Sequence, residues 1–358
     1  MDRSLALDQL AACLKGEPPA GCDWAGVVAL ANQSLTTPQL TAALESLEDR
    51  LPLDLAPFLA EVRRRNRERN RRLAAQLQDA VAGLNRAGVE PVLLKGAALL
   101  AGRGGVEMPD RLLSDLDLLV APEEVETAIG ALRAAGFGLV KRFTGSHIHV
   151  AAEFGRPQDV GVLDLHQHAP GPAGLAEKLH LEARYRTVDV GGGQARVPDE
   201  AAQILYLVLH DQLHDGDYWR GGFDLRHLAD LARLAPALSP EDWTWLDQAC
   251  ATDLVRAALE AQLFAAERLL GAAGGLGAPG RRARLTYRRW RLQYAQPGLR
   301  IPLAAVAAAG EWGSLVRHNL ADAHNRSSAS RRPASVSFNP LNRYRRLRAI
   351  FQVKTGKI

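Results

Sequence analysis

Two neighbouring stretches decide the fold of this chain: Val92-Leu-Leu-Lys-Gly96 and Arg111-Leu-Leu-Ser-Asp-Leu-Asp-Leu-Leu-Val120. Their aliphatic residues predict two short buried strands, each of which also contains polar residues. The first stretch ends at Lys95-Gly96 and continues into Ala97-Ala-Leu-Leu100, a good helix start. Because free backbone N–H groups and the helix dipole favour anions at a helix N-terminus, this junction predicts a phosphate site.

Two carboxylates lie inside the second stretch. Asp115 and Asp117 are two positions apart, so on a strand their side chains point to the same face. Adjacent ionised carboxylates repel each other and are costly to bury unless a cation neutralises them. Mg²⁺ is the expected cation, since it binds one or two carboxylates together with phosphate oxygens. The pattern also allows a second interpretation, in which both acids face solvent while the leucines fill the core.

A third acid, Asp164, occurs in the later aliphatic run Val160-Gly-Val-Leu-Asp-Leu165. If this run forms a strand beside the Asp115–Asp117 strand, the three carboxylates would converge on one metal site. The alternative is an ordinary acid on an edge strand.

These motifs resemble an uncharacterised bacterial nucleotidyltransferase family of the DNA polymerase β-like superfold. The residues that carry the resemblance are Leu94-Lys-Gly96, Arg111, Ser114-Asp-Leu-Asp117 and Asp164-Leu-His166. The resemblance covers roughly residues 85 to 232 and implies an α+β fold in which helical regions flank a small mixed sheet. It also implies an enzyme that transfers a nucleoside monophosphate (NMP) from a nucleoside triphosphate (NTP) to an acceptor hydroxyl.

The resemblance implies a role for each matching residue. Asp115 and Asp117 are expected to hold two Mg²⁺ ions, for which Mn²⁺ could substitute, and Asp164 is expected to act as a further ligand or as a base. The expected nucleotide-binding residues are Lys95, Gly96, Arg111 and Ser114. An alternative role for Arg111 is an ion pair that orients Asp115.

One departure from the superfold favours a second hypothesis. Lys95-Gly96 stands where the superfold usually has Gly-Ser, and a longer segment than usual separates this pair from Asp115. A degenerate site of this kind would suit a non-catalytic accessory protein that binds a nucleotide or a peptide.

Histidines provide a further group of candidate residues. We expect some of them to line a substrate pocket, and the candidates are His149, His166, His210 and His214. His210 and His214 also have the i, i+4 spacing of a zinc-binding helix, with Asp217 as a possible third ligand. Asp211, however, stands where a zinc protease has its catalytic Glu. Ordinary packed or surface histidines remain the simplest interpretation for at least half of the set.

Composition and periodicity predict four regions. They are an N-terminal helical region (1–83), a nucleotidyltransferase-like α+β core (84–192), a helical domain (193–272), and a linker with a basic C-terminal region (273–358). The long helix of the first region contains the arginine-rich run Arg63–Arg72. We expect these arginines to pair with acids, although such a run can also bind phosphate or RNA.

Charge is distributed unevenly along the chain. The net charge is +4, but residues 326–358 contain nine Lys or Arg and no acid, which leaves 4 − 9 = −5 for residues 1–325. A folded body of negative charge argues against nucleic acid as the acceptor. A small molecule, a peptide or a protein is the expected acceptor, although the arginines of residues 281–300 also allow contacts with RNA, lipid or an acidic partner.

Three features predict a cytoplasmic protein. No apolar run is long enough for a membrane span, and the first residues lack the pattern of a secretory signal. The three cysteines have neither metal-ligand spacing nor a disulfide pattern.

Overall fold

The computed structural model describes residues 3–101, 110–143, 149–170, 181–250, 252–272 and 274–310. The basic tail, residues 326–358, lies outside the described residues. No helix within the described ranges is long and apolar enough to cross a membrane.

The N-terminal region is helical, as its sequence predicts. Its helices are α1 (Arg3–Leu14), α2 (Trp24–Gln33), α3 (Thr37–Leu44) and α4 (Leu55–Arg86). Asp23 caps α2 by accepting a hydrogen bond from the Gly26 backbone N–H at 3.1 Å. Pro38 occupies the first turn of α3, where its missing N–H costs nothing.

The arginines of α4 are bound by acids and backbone carbonyls. Arg63 donates two hydrogen bonds of 2.9 Å to the carboxylate of Asp110 and also pairs with Glu45. Arg64 and Arg65 both pair with Glu61, one helical turn away. These contacts agree with the prediction that the arginine-rich run pairs with acids.

A seven-stranded mixed sheet forms the centre of the molecule, and its mixed α+β architecture confirms the expected fold class. The strands are β1 (Val92–Leu94), β2 (Asp115–Leu119), β3 (Gly138–Arg142), β4 (Val150–Gly155), β5 (Val162–His166), β6 (Tyr185–Val190) and β7 (Gly193–Pro198). Their order is β3-β4-β5-β2-β1-β7-β6. The pairs β2–β5 and β1–β7 are parallel, and the other neighbours are antiparallel.

Strand β7 was not among the strands predicted from the sequence. It pairs with β6 through a tight turn at Gly191 and Gly192, whose φ angles are 63° and 86°. A two-residue turn of this kind requires positive φ at both positions, which glycine adopts without strain. The sheet therefore extends past residue 192, where the sequence predicted its end.

The two faces of the sheet have different chemistry because side chains alternate along each strand. Leu116 and Leu118 of β2 lie in a core that the sheet shares with α4 and α6 (Val125–Ala134). Asp115 and Asp117 alternate with these leucines and occupy the opposite face. The leucines thus fill one core, while the acids face the helices that follow the sheet.

Those helices form a second core together with the N-terminal helices. They are α7 (Glu200–Val208), a π-helical turn (Leu209–His214), α8 (Asp217–Arg220), α9 (Leu225–Leu234), α10 (Pro240–Ala249), α11 (Asp253–Leu270) and α12 (Arg281–Ala295). Leu7 and Leu10 of α1 and Trp290 of α12 are fully buried in this core. Helix α4 joins both cores, with Leu59 in the helical one and Leu77 in the sheet core.

This packing predicts a position-dependent effect of Leu-to-Ala changes in α1. Leu7 is 0% exposed and Leu5 is 55% exposed on the same helix. Leu7→Ala should lower the free energy of unfolding by about 2–5 kcal/mol, because it leaves a cavity in the shared core. The matched change Leu5→Ala should cost less than about 0.5 kcal/mol. Urea titration of both variants measures the difference, and equal effects would show that α1 does not belong to the core.

Candidate active site

Three carboxylates share one face of the sheet. β2 carries Asp115 and Asp117, and β5 carries Asp164, as the sequence predicts. The parallel register places Asp117 directly opposite Asp164, and Asp115 opposite Val162. Burial and the neighbouring charge of Asp117 raise the pKa of Asp164 to about 6. This shift indicates that the carboxylates are close enough to repel one another.

Asp117 is the most enclosed of the three, with 1% of its surface exposed. Its Oδ1 atom accepts a hydrogen bond of 2.8 Å from Lys95 Nζ and lies 2.9 Å from His166 Nε2. Burial alone would raise the pKa of Asp117, but Lys95 and His166 outweigh burial and hold this pKa well below its usual range. Asp117 is therefore ionised at neutral pH.

The second oxygen of Asp117 identifies the place where a cation fits. Oδ2 is buried and has no hydrogen-bond partner among the described residues. Buried carboxylate oxygens are almost always satisfied, so an unpartnered one suggests a missing ligand. Ligand atoms of Asp117, Asp164 and His166 lie within 4.8 Å of one another, a separation that a single metal ion could bridge. Asp115 lies outside this group and accepts a hydrogen bond of 3.0 Å from Ser114 Oγ.

Lys95 occupies the junction between β1 and α5 (Lys95–Ala101) with a left-handed backbone, at φ 47°. This conformation is uncommon for a residue with a side chain and is found most often at functional sites. Burial works to lower the pKa of Lys95, but Asp117 outweighs it and raises this pKa. The Lys95 ammonium group, which the sequence predicts to contact phosphate, is thus held against the Asp117 carboxylate.

Gly96 follows in close contact with the segment that leads to β2. A Cβ atom at this position would lie 2.9 Å from Leu113 Cδ2, so any larger residue would displace that side chain. Gly96 therefore allows α5 to begin directly against the carboxylate strand. Ser114 is exposed at the start of that strand, on the border of the site.

The sequence suggested that Arg111 contacts phosphate or forms an ion pair with Asp115. In the structure, Arg111 forms an ion pair with Asp230. Its Nε lies 2.8 Å from Asp230 Oδ2 in α9, and both groups are largely buried. Asn70 of α4 donates a hydrogen bond of 3.0 Å to the Arg111 carbonyl. Arg111 thus links the segment before β2 to both helical layers.

Arg226 is a basic residue of the site region that the sequence did not single out. It donates a hydrogen bond of 2.8 Å to Asp224 Oδ2. Burial lowers its pKa, while Asp224, and more weakly Asp230 and Asp115, raise it. The effect of Asp115 indicates that this guanidinium lies near the carboxylate face. Its only sequence signal was its position two residues after Asp224, the cap of α9.

The four predicted histidines gather beside Lys95 and Asp117. His166 contacts Asp117, and the His149 ring packs edge-on against His214 with 4.4 Å between ring centres. His210 and His214 lie on the π-helical turn with 5.4 Å between ring centres. Burial, then the charge of Lys95, holds the pKa of His210 well below its usual range. His210 is therefore neutral at neutral pH.

Comparison with known proteins supports the family resemblance. A family model described as uncharacterised nucleotidyltransferase matches residues 20–271. No curated protein matches this chain. Among solved structures, the solution structure of the antibiotic-resistance factor ANT(2'')-Ia is similar, with 15% sequence identity and a TM-score of 0.35. That similarity covers 55% of this chain and 95% of the other.

The family match includes both stretches from which the sequence interpretation began, together with the Asp164 strand and the π-helical turn. It covers well over half of the 358 residues. The chain belongs to the family of uncharacterised nucleotidyltransferases.

Proposed function

We propose that this protein transfers an NMP from an NTP to an acceptor hydroxyl in a Mg²⁺-dependent reaction. The observation that carries the proposal is the pairing of Asp117 with Asp164 on adjacent strands, together with the Asp117 Oδ2 atom, which is buried and has no hydrogen-bond partner among the described residues. Family membership supports nucleotidyl transfer as the reaction class.

The metal would be held by Asp117 and Asp164, with Asp115 at the more exposed margin. Hard oxygen ligands of this kind suit Mg²⁺, and Mn²⁺ accepts the same set. We expect two ions, as in other enzymes that displace pyrophosphate. When bound, they would neutralise phosphate charge and orient the triphosphate for in-line attack.

The protein groups around the carboxylates have complementary tasks. With a pKa of about 6, Asp164 is mostly ionised at neutral pH and basic enough to accept the proton of an acceptor hydroxyl. Lys95 and Arg226 add positive charge beside the carboxylates, where a triphosphate would lie. Ser114 and the backbone at Gly96 would contribute contacts to phosphate oxygens.

The side-chain contacts of helix α12 favour an acceptor other than nucleic acid. Arg282 donates to the Tyr218 hydroxyl, Arg289 donates to backbone carbonyls of α8, and Arg291 pairs with Asp8. Trp290 is fully buried, so it cannot stack on a base. These arginines anchor the helix to the protein, which favours a small molecule, a peptide or a protein as the acceptor.

One observation favours the alternative, an accessory protein without catalytic activity. Lys95 already neutralises Asp117, and Arg111 forms an ion pair with Asp230. A site with its own cation could bind a nucleotide or a peptide without a metal. The two hypotheses therefore differ in whether nucleotide binding requires Mg²⁺.

Nucleotide binding should depend on both Mg²⁺ and the acids. Asp115→Asn should weaken Mg²⁺-dependent NTP binding by about tenfold or more, because it removes one of three carboxylates. Asp115→Asn/Asp117→Asn should abolish this binding. Calorimetry with each of the four NTPs, with and without Mg²⁺, measures both effects, and pyrophosphate release then identifies acceptors.

Asp189→Asn is the matched control, since Asp189 is an exposed acid on β6 at the edge of the same sheet. It should bind NTP as the native protein does. Asp115 is partly exposed, so its variant should keep the native fold, which circular dichroism can verify. Binding that needs no metal and survives both substitutions would contradict the transferase proposal and support the accessory protein.

The raised pKa of Asp164 predicts a pH-dependent effect of Mg²⁺ on stability. In the metal-free protein, the raised pKa means that the folded state holds the Asp164 proton more tightly than the unfolded state does. The stabilisation that results is fully present below pH 3.8, the ordinary pKa, and is lost as pH rises through about 6. Mg²⁺ binds the ionised form, so it should stabilise the protein more at pH 7.5 than at pH 5. Affinity should be about tenfold lower at pH 5, where only about a tenth of Asp164 is ionised.

Thermal unfolding with and without Mg²⁺ at the two pH values measures this effect. In the Asp164→Asn variant, residue 164 cannot ionise. Mg²⁺ should therefore raise the unfolding temperature of this variant less, and the rise should depend less on pH. An unchanged pH dependence in this variant would show that another group competes with the metal.

A further inference from the structure

We propose that the π-helical turn carries a second metal site, for a transition-metal ion of the Zn²⁺ class, formed by His210, His214 and Asp215. The proposal goes beyond nucleotidyl transfer, because it assigns a cofactor to residues that the Mg²⁺ site does not use. A ring nitrogen of each histidine and a carboxylate oxygen of Asp215 all lie within 4.8 Å of one another. This spacing differs from the sequence hypothesis, which chose Asp217 as the third ligand.

The backbone explains why Asp215 replaces Asp217. Asp217 is fully buried at the start of α8 and forms an ion pair of 3.1 Å with Arg220. Asp215 follows the last residue of the π-helical turn directly and stays partly exposed beside the two imidazoles. Single π-helical turns are rare and occur frequently at functional sites, where they change the direction of side chains.

His210 provides an observation independent of the cluster itself. Its Nδ1 atom is buried and has no hydrogen-bond partner among the described residues. A buried imidazole nitrogen without a partner loses the hydrogen bond that water would supply. A metal ion bound to one ring nitrogen, with a water molecule or side chain hydrogen-bonded to the other, would give both nitrogens of His210 a partner.

The donor set decides which ion the site prefers. Two imidazoles and one carboxylate suit Zn²⁺ and its neighbours, whereas Mg²⁺ prefers oxygen ligands. The first site offers two carboxylates and one imidazole, from Asp117, Asp164 and His166, whereas the second offers two imidazoles and one carboxylate. The second site should therefore favour Zn²⁺ over Mg²⁺ more strongly than the first does. Three protein ligands also leave a coordination position open for water or a substrate group, as in catalytic zinc sites.

The turn is fixed from its inner side, which holds the proposed ligands in place. Asp211 is buried, accepts a hydrogen bond of 2.5 Å from Gln212, and lies 3.3 Å from His227 Nδ1 in α9. This anchoring leaves His210 and His214 on the side of the turn that faces the sheet. After burial, the charge of Lys95 contributes most to lowering the pKa of His210, and the charge of Asp215 helps to raise the pKa of Lys95.

His149 supports the site from the opposite element. Its ring packs against His214, and its Nδ1 lies 3.4 Å from the carbonyl oxygen of His168. A hydrogen bond from Nδ1 to a carbonyl is the usual way in which a protein fixes the orientation of an imidazole near a metal. The same contact positions His149 to hold the exposed His214 ring.

Co²⁺ is a suitable probe because it replaces Zn²⁺ and has visible absorption bands that report its ligands. The native protein, titrated with Co²⁺ in excess Mg²⁺, should bind one Co²⁺ with such bands, and Zn²⁺ should displace it. His214→Ala should weaken binding by about a hundredfold, and Asp215→Asn should weaken it by about tenfold or more. His214 is exposed, so its removal should leave the fold intact.

Two controls separate this site from its surroundings. His168→Ala removes a nearby histidine that lies outside the cluster and should leave the Co²⁺ affinity unchanged. Asp164→Asn should impair the Mg²⁺ site without changing the Co²⁺ spectrum, so the two proposals can fail independently. No Co²⁺ binding by the native protein, or equal binding by His214→Ala, would overturn the second metal site.

Discussion

A carboxylate removed from water must be neutralised, and Asp117 imposes this requirement on the centre of the molecule. Its attraction to Lys95 and its contact with His166 bring together the end of β1, the middle of β2 and the end of β5. Losing one partner of such a buried pair typically costs about 3–5 kcal/mol, because the other charge stays behind. The left-handed backbone of Lys95 persists because this pairing and the packing around α5 hold it.

The alternation of side chains along β2 allows one short strand to serve two purposes. Leu116 and Leu118 secure the strand in the sheet core, so Asp115 and Asp117 can be presented without any contribution of their own to hydrophobic packing. The helices after the sheet then close over this face and supply Arg226, His210 and His214. The site therefore lies at the boundary between the sheet core and the helical core, and both cores determine its shape.

Local chemistry made much of this arrangement predictable. Periodicity identified the N-terminal helical region, the strands that carry Asp115, Asp117 and Asp164, and the face that Asp115 and Asp117 share, because each of these depends on neighbouring residues. The partners of the charged groups could not be predicted in the same way. Lys95 finds Asp117 at a separation of 22 residues, and Arg111 finds Asp230 on a helix formed much later in the chain. Such pairings depend on the packing of distant elements, as does the choice of Asp215 over Asp217.

Helices α1 and α12 lie outside the residues that the family model matches, yet both belong to the helical core. A core position requires only an apolar side chain of suitable volume, whereas a site position requires a particular atom in a particular place. Leu7 and Trp290 meet this lesser requirement, since each is fully buried in the helical core. In this chain, the segment that the family model matches is smaller than the unit that folds. A fragment cut at the family boundaries would expose the apolar surface that these helices cover.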